Sequence, residues 1–206
     1  MTNHFDSVAK DWDKNQVHIK RTKAIAKAIK AIIAPDKKSV ALEFGAGTGL
    51  LSFALKNSFS HITLMDSSAE MIKATMEKVV YSGNKHLIPL FFDLEKKDYK
   101  EKKFDMIFSQ MALHHVQDIE KILKRFKKML QKGGKLALAD LYTEDGTFHD
   151  VLFDGHNGFD PNFLVTLLKK NGFKNTQHKK VFTIKKDLGE QTLKAYPVFL
   201  LTAEKK

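Results

Sequence analysis

The chain has 206 residues, no cysteine and a formal net charge of +11 at pH 7. This length fits one domain, and the lack of cysteine excludes structural disulfides, thiolate metal sites and cysteine nucleophiles. No run reaches the ~20 apolar residues of a membrane span, and the N-terminus lacks the apolar core of a signal peptide, so we expect a cytoplasmic protein with no membrane partner.

The positive charge raises the question of a nucleic acid partner. Almost all of it is lysine, because the only arginines are Arg21 and Arg125. Arginine is the residue whose planar fork recognises phosphates and bases through paired hydrogen bonds. We therefore interpret the charge as a solvated, lysine-rich surface, which disfavours nucleic acid without excluding it.

Hydrophobic residues at helical and strand spacing predict alternating elements along the chain. Isoleucines at helical spacing predict a helix over residues 17–33, which Pro35 ends. Further helices are predicted over 50–57, 68–81 and 118–130 and from Pro161 to a stop at Gly172, and strands over 40–44, 62–65, 87–92, 106–109, 136–140, 180–185 and 196–203. This alternation is typical of a doubly wound α/β sheet.

The most informative segment is the turn after the first predicted strand, Glu43-Phe44-Gly45-Ala46-Gly47-Thr48-Gly49. Alternate glycines remove every second Cβ where a strand becomes a helix, so backbone amides can approach a ligand closely. The spacing is Gly-x-Gly-x-Gly, whereas the dinucleotide fingerprint requires Gly-x-Gly-x-x-Gly. The carboxylate of Glu43 would repel a pyrophosphate and attract an ammonium or sulfonium. A glycine-rich turn with no ligand is the alternative.

An acid, one residue and then Gly-x-Gly-x-Gly resembles the first motif of the class I S-adenosylmethionine-dependent methyltransferases. The resemblance implies a Rossmann-like sheet of seven strands with helices on both faces. It also implies S-adenosylmethionine as the cofactor, bound by Glu43 and by the turn residues Gly45, Ala46, Gly47 and Gly49.

Acids also follow the next two predicted strands. Asp66 lies about twenty residues past the glycines, where a carboxylate suits the ribose hydroxyls of either cofactor class. The segment from Asp66 through Ser67 to Met71 resembles the family pattern in which a methionine packs on the adenine. By the same resemblance, Asp93 faces the adenine amino group and Leu94 lines the same pocket.

Both segments have a purely structural alternative. Ser67 and Glu70 have capping-box spacing, which predicts the start of a helix whether or not a ligand binds. Asp93 precedes a charged stretch, and aspartate is common in solvated turns.

The longest resemblance is to the type 11 branch of the family. Residues 104–116, which include Leu113-His114-His115, resemble its fourth strand and the segment after it, and Leu130-Gln131-Lys132-Gly133-Gly134 resembles its glycine turn, with Lys132 where proline is usual. This pattern implies that the amino acid end of the cofactor lies near Ser109, Gln110 and Met111. The motifs together cover roughly residues 36 to 140.

We expect one domain over residues 1–206, with an N-terminal helical lid over 1–35, a cofactor-binding core over 36–140, and an acceptor loop, a helix and the last two strands over 141–206. Phe5, Ala9, Trp12 and Asp13 resemble the start of many type 11 methyltransferases, where it folds over the cofactor. An amphipathic helix packed on the domain is the alternative.

Histidine is the natural candidate for a general base, because it titrates near neutrality. Adjacent residues that enter a helix point in different directions, so at most one of His114 and His115 faces the pocket. We prefer His115 as the catalytic residue. Methyl transfer can also proceed without a base, because the positive charge of the donor already activates it and positioning contributes much of the rest.

The segment after the fifth strand, residues 142–159, is a candidate acceptor-binding loop. It carries His149, Asp150, Asp154 and His156, and imidazole and carboxylate are common metal ligands. Their spacing matches no metal motif, and we predict no metal site.

These observations predict a methyltransferase that uses S-adenosylmethionine and acts on a small-molecule acceptor. The alternatives are a tRNA methyltransferase, a non-catalytic protein that binds the same cofactor and, third, a nicotinamide oxidoreductase. The chain lacks the Asn-Pro-Pro-aromatic motif of amino methyltransferases after its fourth strand, which disfavours methylation of base amino groups. No oligomeric state is predicted.

Overall fold

The computed structural model describes residues 12–101, 103–149, 153–189 and 193–206. Its first half alternates helices and strands. A 3₁₀ turn at Trp12–Lys14 precedes helix α1 (Gln16–Ile33), strand β1 (Val40–Phe44), helix α2 (Leu50–Leu55) with a 3₁₀ turn at Lys56–Ser58, strand β2 (His61–Asp66), helix α3 (Ala69–Ser82) and strand β3 (Leu87–Phe91).

The second half contains the remaining strands. Strand β4 (Phe104–Gln110) leads through a 3₁₀ turn at Leu113–His115 to helix α4 (Ile119–Met129), strand β5 (Leu130–Leu141), helix α5 (Pro161–Lys170), strand β6 (Phe173–Asp187) and strand β7 (Leu193–Lys205). No helix in the described ranges is long and apolar enough to cross a membrane.

The strands form one seven-stranded sheet in the order β3-β2-β1-β4-β5-β7-β6. Strands β1 to β5 pair in parallel, and β7 runs antiparallel to both β5 and β6. The predicted doubly wound sheet is therefore confirmed. The strand order reverses between β1 and β4, and open α/β sheets bind ligands at the carboxyl ends of the strands at such a point.

Side-chain caps start four of the helices. Asn15, Ser68, Asp118 and Asp160 each accept a hydrogen bond from a backbone N–H in the first turn of their helix. The predicted capping box began one residue too early, because the cap of α3 is Ser68, whose Oγ accepts from the N–H of Met71 at 3.1 Å, and not Ser67.

Two hydrophobic layers hold helices on opposite faces of the sheet. Helices α1 and α2 pack on one face through residues such as Ile25, Ile29 and Leu51. Helices α4 and α5 pack on the other through residues such as Phe126 and Leu164. The carboxyl edge of the sheet between these layers is where loops from several strands meet.

The last three strands are longer than predicted. Strand β5 begins at Leu130, and the predicted glycine turn becomes an irregularity inside it, since Phe104 pairs with Leu130 whereas Met106 pairs with Lys135. Strand β6 has a lysine-rich sequence with little alternation, and its length follows from pairing with β7 over the range from Phe173 to Asp187. Tertiary pairing here overrides a weak local pattern.

Candidate active site

A cavity of about 310 Å³ lies at the carboxyl edge of the sheet, lined by segments that follow β1, β2, β3 and β4. Its volume is at the lower end of the range for small-molecule sites. Most of the predicted site residues line it, namely Gly45, Ala46, Gly47, Asp66, Ser67, Met71, Asp93, Leu94, Gln110, Met111 and His115.

The three glycines of the turn after β1 all have positive φ. An added Cβ would meet different surroundings at each of them. A Cβ on Gly45 would overlap the Cβ of Ala112, and a Cβ on Gly49 would lie 2.6 Å from Cδ2 of Leu64. A Cβ on Gly47 would meet only the sulfur of Met71, at 3.8 Å. Gly45 and Gly49 are therefore required by packing, whereas Gly47 leaves space open to the cavity.

Hydrogen bonds hold the turn in place. The N–H of Gly47 donates to Oδ2 of Asp66 at 2.7 Å, and the hydroxyl of Thr75 donates to the carbonyl oxygen of Gly47 at 2.8 Å. Oδ1 of Asp66 also accepts from the N–H of Ser68 at 2.8 Å. A carboxylate has about four acceptor positions, so these bonds leave capacity for a ligand hydroxyl.

Glu43 does not line the cavity. It is fully buried, and its Oε2 accepts from the N–H of Ser52 at 3.0 Å and from the Ser52 hydroxyl at 2.5 Å. Burial raises the pKa of Glu43 to about 8, against the opposing hydrogen bonds from Ser52. The expected attraction of a sulfonium by its charge is therefore not supported; the carboxyl group instead joins β1 to the first turn of α2.

Two further predicted residues lie behind the cavity wall. Ser109 is buried, and its hydroxyl donates to the carbonyl oxygen of Phe44 at 2.8 Å, which ties the end of β4 to the end of β1. Gly49 precedes α2 and packs against Leu64. These two residues shape the turn and do not face the open space.

Asp93 combines the two roles that the sequence left open. Its Oδ1 accepts from the N–H groups of Glu95 and Lys96, and its Oδ2 pairs with Nζ of Lys96 at 2.9 Å, as in a solvated turn. It also lines the cavity beside the buried Leu94. Burial works to raise the pKa of Asp93, but the hydrogen bonds and charge of Lys96 hold it below the ordinary value.

Arg21 on α1 is a cavity residue that the motifs did not identify. It is 5% exposed, and among the described residues its Nε has no hydrogen-bond partner. Burial lowers its pKa to about 10, opposed by the charge of Asp140, so it remains a cation at neutral pH. The available sequence signal was its position four residues before Ile25 and eight before Ile29 on the buried face of the helix.

The described end of the N-terminal segment contacts the glycine turn. Trp12 lines the cavity, while the carboxylate of Asp13 accepts from the Thr48 hydroxyl at 2.5 Å and pairs with Nζ of Lys78 at 2.5 Å. Phe5 and Ala9, the other residues of the predicted lid motif, lie outside the described residues.

The two adjacent histidines point in different directions. His115 lines the cavity, whereas His114 is buried and its Nδ1–H donates to Oδ1 of Asp140 at 2.6 Å. Burial works to raise the pKa of Asp140, but the charge and hydrogen bonds of His114 hold it below the ordinary value. Met111, just before this segment, has φ of 52°, a strained conformation at the cavity wall.

The predicted acceptor loop contributes its histidines to different places. The ring of His149 lies 5.0 Å from that of His114 and 5.5 Å from that of His115, centre to centre. His156 instead donates from Nε2 to the carbonyl oxygen of Val116 at 3.0 Å, and Asp154 is exposed. Asp150 lies outside the described residues.

Comparisons with known proteins agree with this architecture. Residues 42–138 match the type 11 family model, described as a methyltransferase domain. An uncharacterized methyltransferase of Schizosaccharomyces pombe is 27% identical over 152 residues, which are 66% of this chain and 54% of that protein. Malonyl-[acyl-carrier protein] O-methyltransferase 1 of Ilyobacter polytropus is 31% identical over 139 residues, 66% of this chain and 50% of that protein. The chain spans about half the length of these relatives.

Solved structures share the fold at low identity. An S-adenosylmethionine-dependent methyltransferase of Thermotoga maritima superposes with a TM-score of 0.72 at 19% identity and covers 98% of each chain. Phosphoethanolamine N-methyltransferase 2 of Haemonchus contortus, crystallised with S-adenosylmethionine, has a TM-score of 0.72 at 15% identity, over 99% of this chain and 60% of that one. The family-model match over residues 42–138, with the glycine turn and the sheet order, supports a class I S-adenosylmethionine-dependent methyltransferase of the type 11 branch.

Proposed function

We propose that the protein transfers the methyl group of S-adenosylmethionine to a small-molecule acceptor in this cavity. The observation that carries the proposal is the 2.7 Å hydrogen bond from Gly47 to Asp66. Gly47 is the glycine of the turn that leaves space open to the cavity, and Asp66 has a carboxylate suited to ribose hydroxyls. The bond lies where the strand order reverses, and open α/β sheets bind ligands at such a point.

The adenosine lies on the side of the cavity formed after β2 and β3. Asp66 and Ser67 line the cavity together with Gly47 and hydrogen-bond the ribose hydroxyls in this proposal. Met71 and Leu94, both nearly fully buried, offer an apolar surface for the adenine, and Asp93 can accept from its amino group. A flexible thioether is well suited to pack on an aromatic ring.

The amino acid end of the cofactor lies on the opposite side, after β1 and β4. Gly45, Gln110 and Met111 line the cavity there, and Gln110 is oriented by the Thr22 hydroxyl, which donates to its Oε1 at 3.1 Å. The buried cation of Arg21 is the matching partner for the carboxylate of the cofactor, because its planar fork binds carboxylates through two hydrogen bonds.

Three predicted residues act as positioning residues in this proposal. Glu43, Gly49 and Ser109 hold the turn and the strand ends without facing the ligand. From the N-terminal part of the chain, Trp12 and Arg21 line the cavity, and the other lining residues lie between Phe44 and Val116, within the part that we assign to the cofactor.

Bound in this orientation, S-adenosylmethionine would be held by Asp66 at its ribose and by Gln110 at its amino acid end, and its sulfonium would supply the methyl group; His115 also lines the cavity. A lone pair of the acceptor attacks the methyl carbon as the C–S bond electrons return to sulfur, which releases S-adenosylhomocysteine. Positioning and exclusion of water supply much of the rate. Where the acceptor atom must lose a proton on methylation, His115 is the general base that accepts this proton.

A small-molecule acceptor is supported by the name of one relative, the phosphoethanolamine N-methyltransferase 1 of Triticum aestivum, which is 29% identical over 108 residues, 52% of this chain and 21% of that protein. The surface lysines offer no paired-fork recognition of nucleic acid.

The test is formation of S-adenosylhomocysteine in three parallel reactions: a low-molecular-weight cell extract, bulk tRNA at moderate salt, and buffer alone. We expect turnover with the low-molecular-weight fraction only, and none by the Gly47→Ala variant. Turnover with tRNA alone would assign the acceptor to nucleic acid instead. Cofactor binding with no turnover in any reaction, across extracts of several sources, would assign the chain as a non-catalytic binding protein.

A further inference from the structure

Three histidines meet beside the cavity. His114 and His115 follow β4, and His149 lies in the loop after β5; one ring nitrogen of each lies within 4.8 Å of the others. Because β4 and β5 are parallel neighbours, the segments after their carboxyl ends meet at the same edge of the sheet. The fold therefore brings His149 to the adjacent pair His114 and His115.

His114 has the surroundings of a metal ligand. Its Nδ1–H donates to Oδ1 of Asp140 at 2.6 Å, and its backbone N–H donates to Oδ2 at 3.2 Å; the two side chains are 1% and 0% exposed. This pairing places the proton on Nδ1 and directs the basic lone pair to Nε2. Metal-binding histidines almost always carry such a carboxylate or carbonyl partner on their second nitrogen.

Aromatic rings enclose the cluster. Phe153 stacks on His149 at 3.8 Å between centroids and meets His115 edge-on at 5.2 Å, while Phe148 meets His149 edge-on at 4.9 Å. These rings limit solvent access to the imidazoles. An apolar shell of this kind strengthens the interaction between a cation and its ligands.

We propose that His114, His115 and His149 bind one divalent transition-metal ion of the zinc class at the acceptor side of the cavity. Imidazole nitrogen is a preferred ligand of such ions, and three protein ligands leave a coordination position open. Zn–N bonds of ~2.0–2.1 Å place tetrahedral nitrogens roughly 3.3 Å apart. The three nitrogens lie within 4.8 Å of one another, so binding the ion draws them closer together by rotation of the side chains.

The proposal changes the role of His115 when the ion is bound. A nitrogen that coordinates a metal cannot accept a proton, so the loaded protein depends on acceptor positioning and on the open coordination site. This consequence rests on the proposed function, whereas metal binding itself does not.

The test is a titration of the untagged, metal-free protein with Co²⁺, followed by the visible absorption of the bound ion and by displacement with Zn²⁺. We expect one tight site per chain. His149→Gln and His114→Gln should each weaken binding at least tenfold. The matched control is His178→Gln, because His178 lies on β6 and contacts Asn162 at 3.3 Å, away from the cluster.

Far-UV circular dichroism and the thermal midpoint establish that each variant is folded. The proposal is wrong if the wild-type protein binds no stoichiometric Co²⁺, or if His149→Gln binds it as tightly as wild type. Equal losses in His178→Gln and His149→Gln would also refute it. Neither cofactor nor acceptor is present in the titration, so its outcome is independent of whether the protein transfers methyl groups.

Discussion

The N–H of Gly47 donates to Oδ2 of Asp66 across 2.7 Å and joins the turn after β1 to the end of β2. The parallel register pairs Phe44 with Met65, so the two strands end side by side. The glycine turn is thus organised by the same carboxylate that we assign to the ribose.

Alanine at position 47 should abolish cofactor binding. The new Cβ would occupy the open space above the turn, and the positive φ of 54° adds backbone strain of about 1 kcal/mol. We expect the affinity for S-adenosylmethionine, measured by calorimetry, to fall more than about tenfold, which is ~1.4 kcal/mol. Gly83→Ala is the matched control, since Gly83 has φ of 63° and nothing within 4 Å of its added Cβ. Equal affinities of the two variants would refute the assignment of the turn.

Arg21→Met should weaken cofactor binding selectively. If the guanidinium binds the carboxylate of the cofactor, S-adenosylmethionine should lose about 1.5–3 kcal/mol of binding free energy, the range for hydrogen bonds to charged groups. 5′-Methylthioadenosine lacks the amino acid end and should bind the variant and the wild type equally.

A surface cation outside the cavity lining provides the control. Lys124 on α4 pairs with Glu120 at 2.9 Å, and its side chain is 58% exposed. Lys124→Met should leave both affinities unchanged. A parallel loss for the two ligands in Arg21→Met would mean that Arg21 supports the fold and does not contact the carboxylate.

Glu43→Gln should change the pH dependence of stability. Burial raises the pKa of Glu43 from 4.5 to about 8, so the folded state keeps a proton that the unfolded chain loses above pH 4.5. The protonated carboxyl of Glu43 contributes fully to the free energy of unfolding below pH 4.5, and this contribution is lost as pH rises toward 8. The free energy of unfolding of Glu43→Gln relative to wild type should therefore increase by about 2 kcal/mol or more between pH 5 and 8.

Denaturant unfolding at pH 5, 6.5 and 8 measures this difference. Glu77→Gln removes the same formal charge from an exposed position on α3 and should follow the wild-type curve. A difference between Glu43→Gln and wild type that is constant across these pH values would show that Glu43 titrates normally.

Trp12 should report cofactor binding by fluorescence. It is the only tryptophan of the chain and lines the cavity, with its ring 4.3 Å from that of His18. Saturation with S-adenosylmethionine should change its emission along the same binding curve as calorimetry gives. Unchanged emission at saturation would place the cofactor away from the N-terminal segment.

The site residues that the sequence predicted lie in short segments, each next to a predicted strand. The glycine turn, Asp66 and Asp93 each directly follow a predicted strand, and parallel strands end at a common edge, so their proximity followed from the alternation of elements. The motif did not reveal which way each residue points. Glu43 and Gly49 belong to it and face the interior, because the contacts of Ser52 and Leu64 that decide this come from α2 and β2.

The unpredicted part depends on contacts between distant segments. Arg21 reaches the cavity because α1 packs across the sheet, and His149 joins His114 because β5 pairs with β4. The helical spacing of Arg21 with Ile25 and Ile29 indicates the buried face of α1, but no local pattern encodes which part of the sheet that face meets. The length of β6 was missed for the same reason, since its lysines lie on an edge strand whose extent is set by β7.

Cofactor identity is tested by calorimetric titration of the wild-type protein with S-adenosylmethionine, with NADH as the matched nucleotide. Binding at the cavity between β1, β2 and β4 predicts saturable heat with one site per chain for S-adenosylmethionine and none for NADH. Absence of heat with S-adenosylmethionine, or tighter binding of NADH, would contradict it.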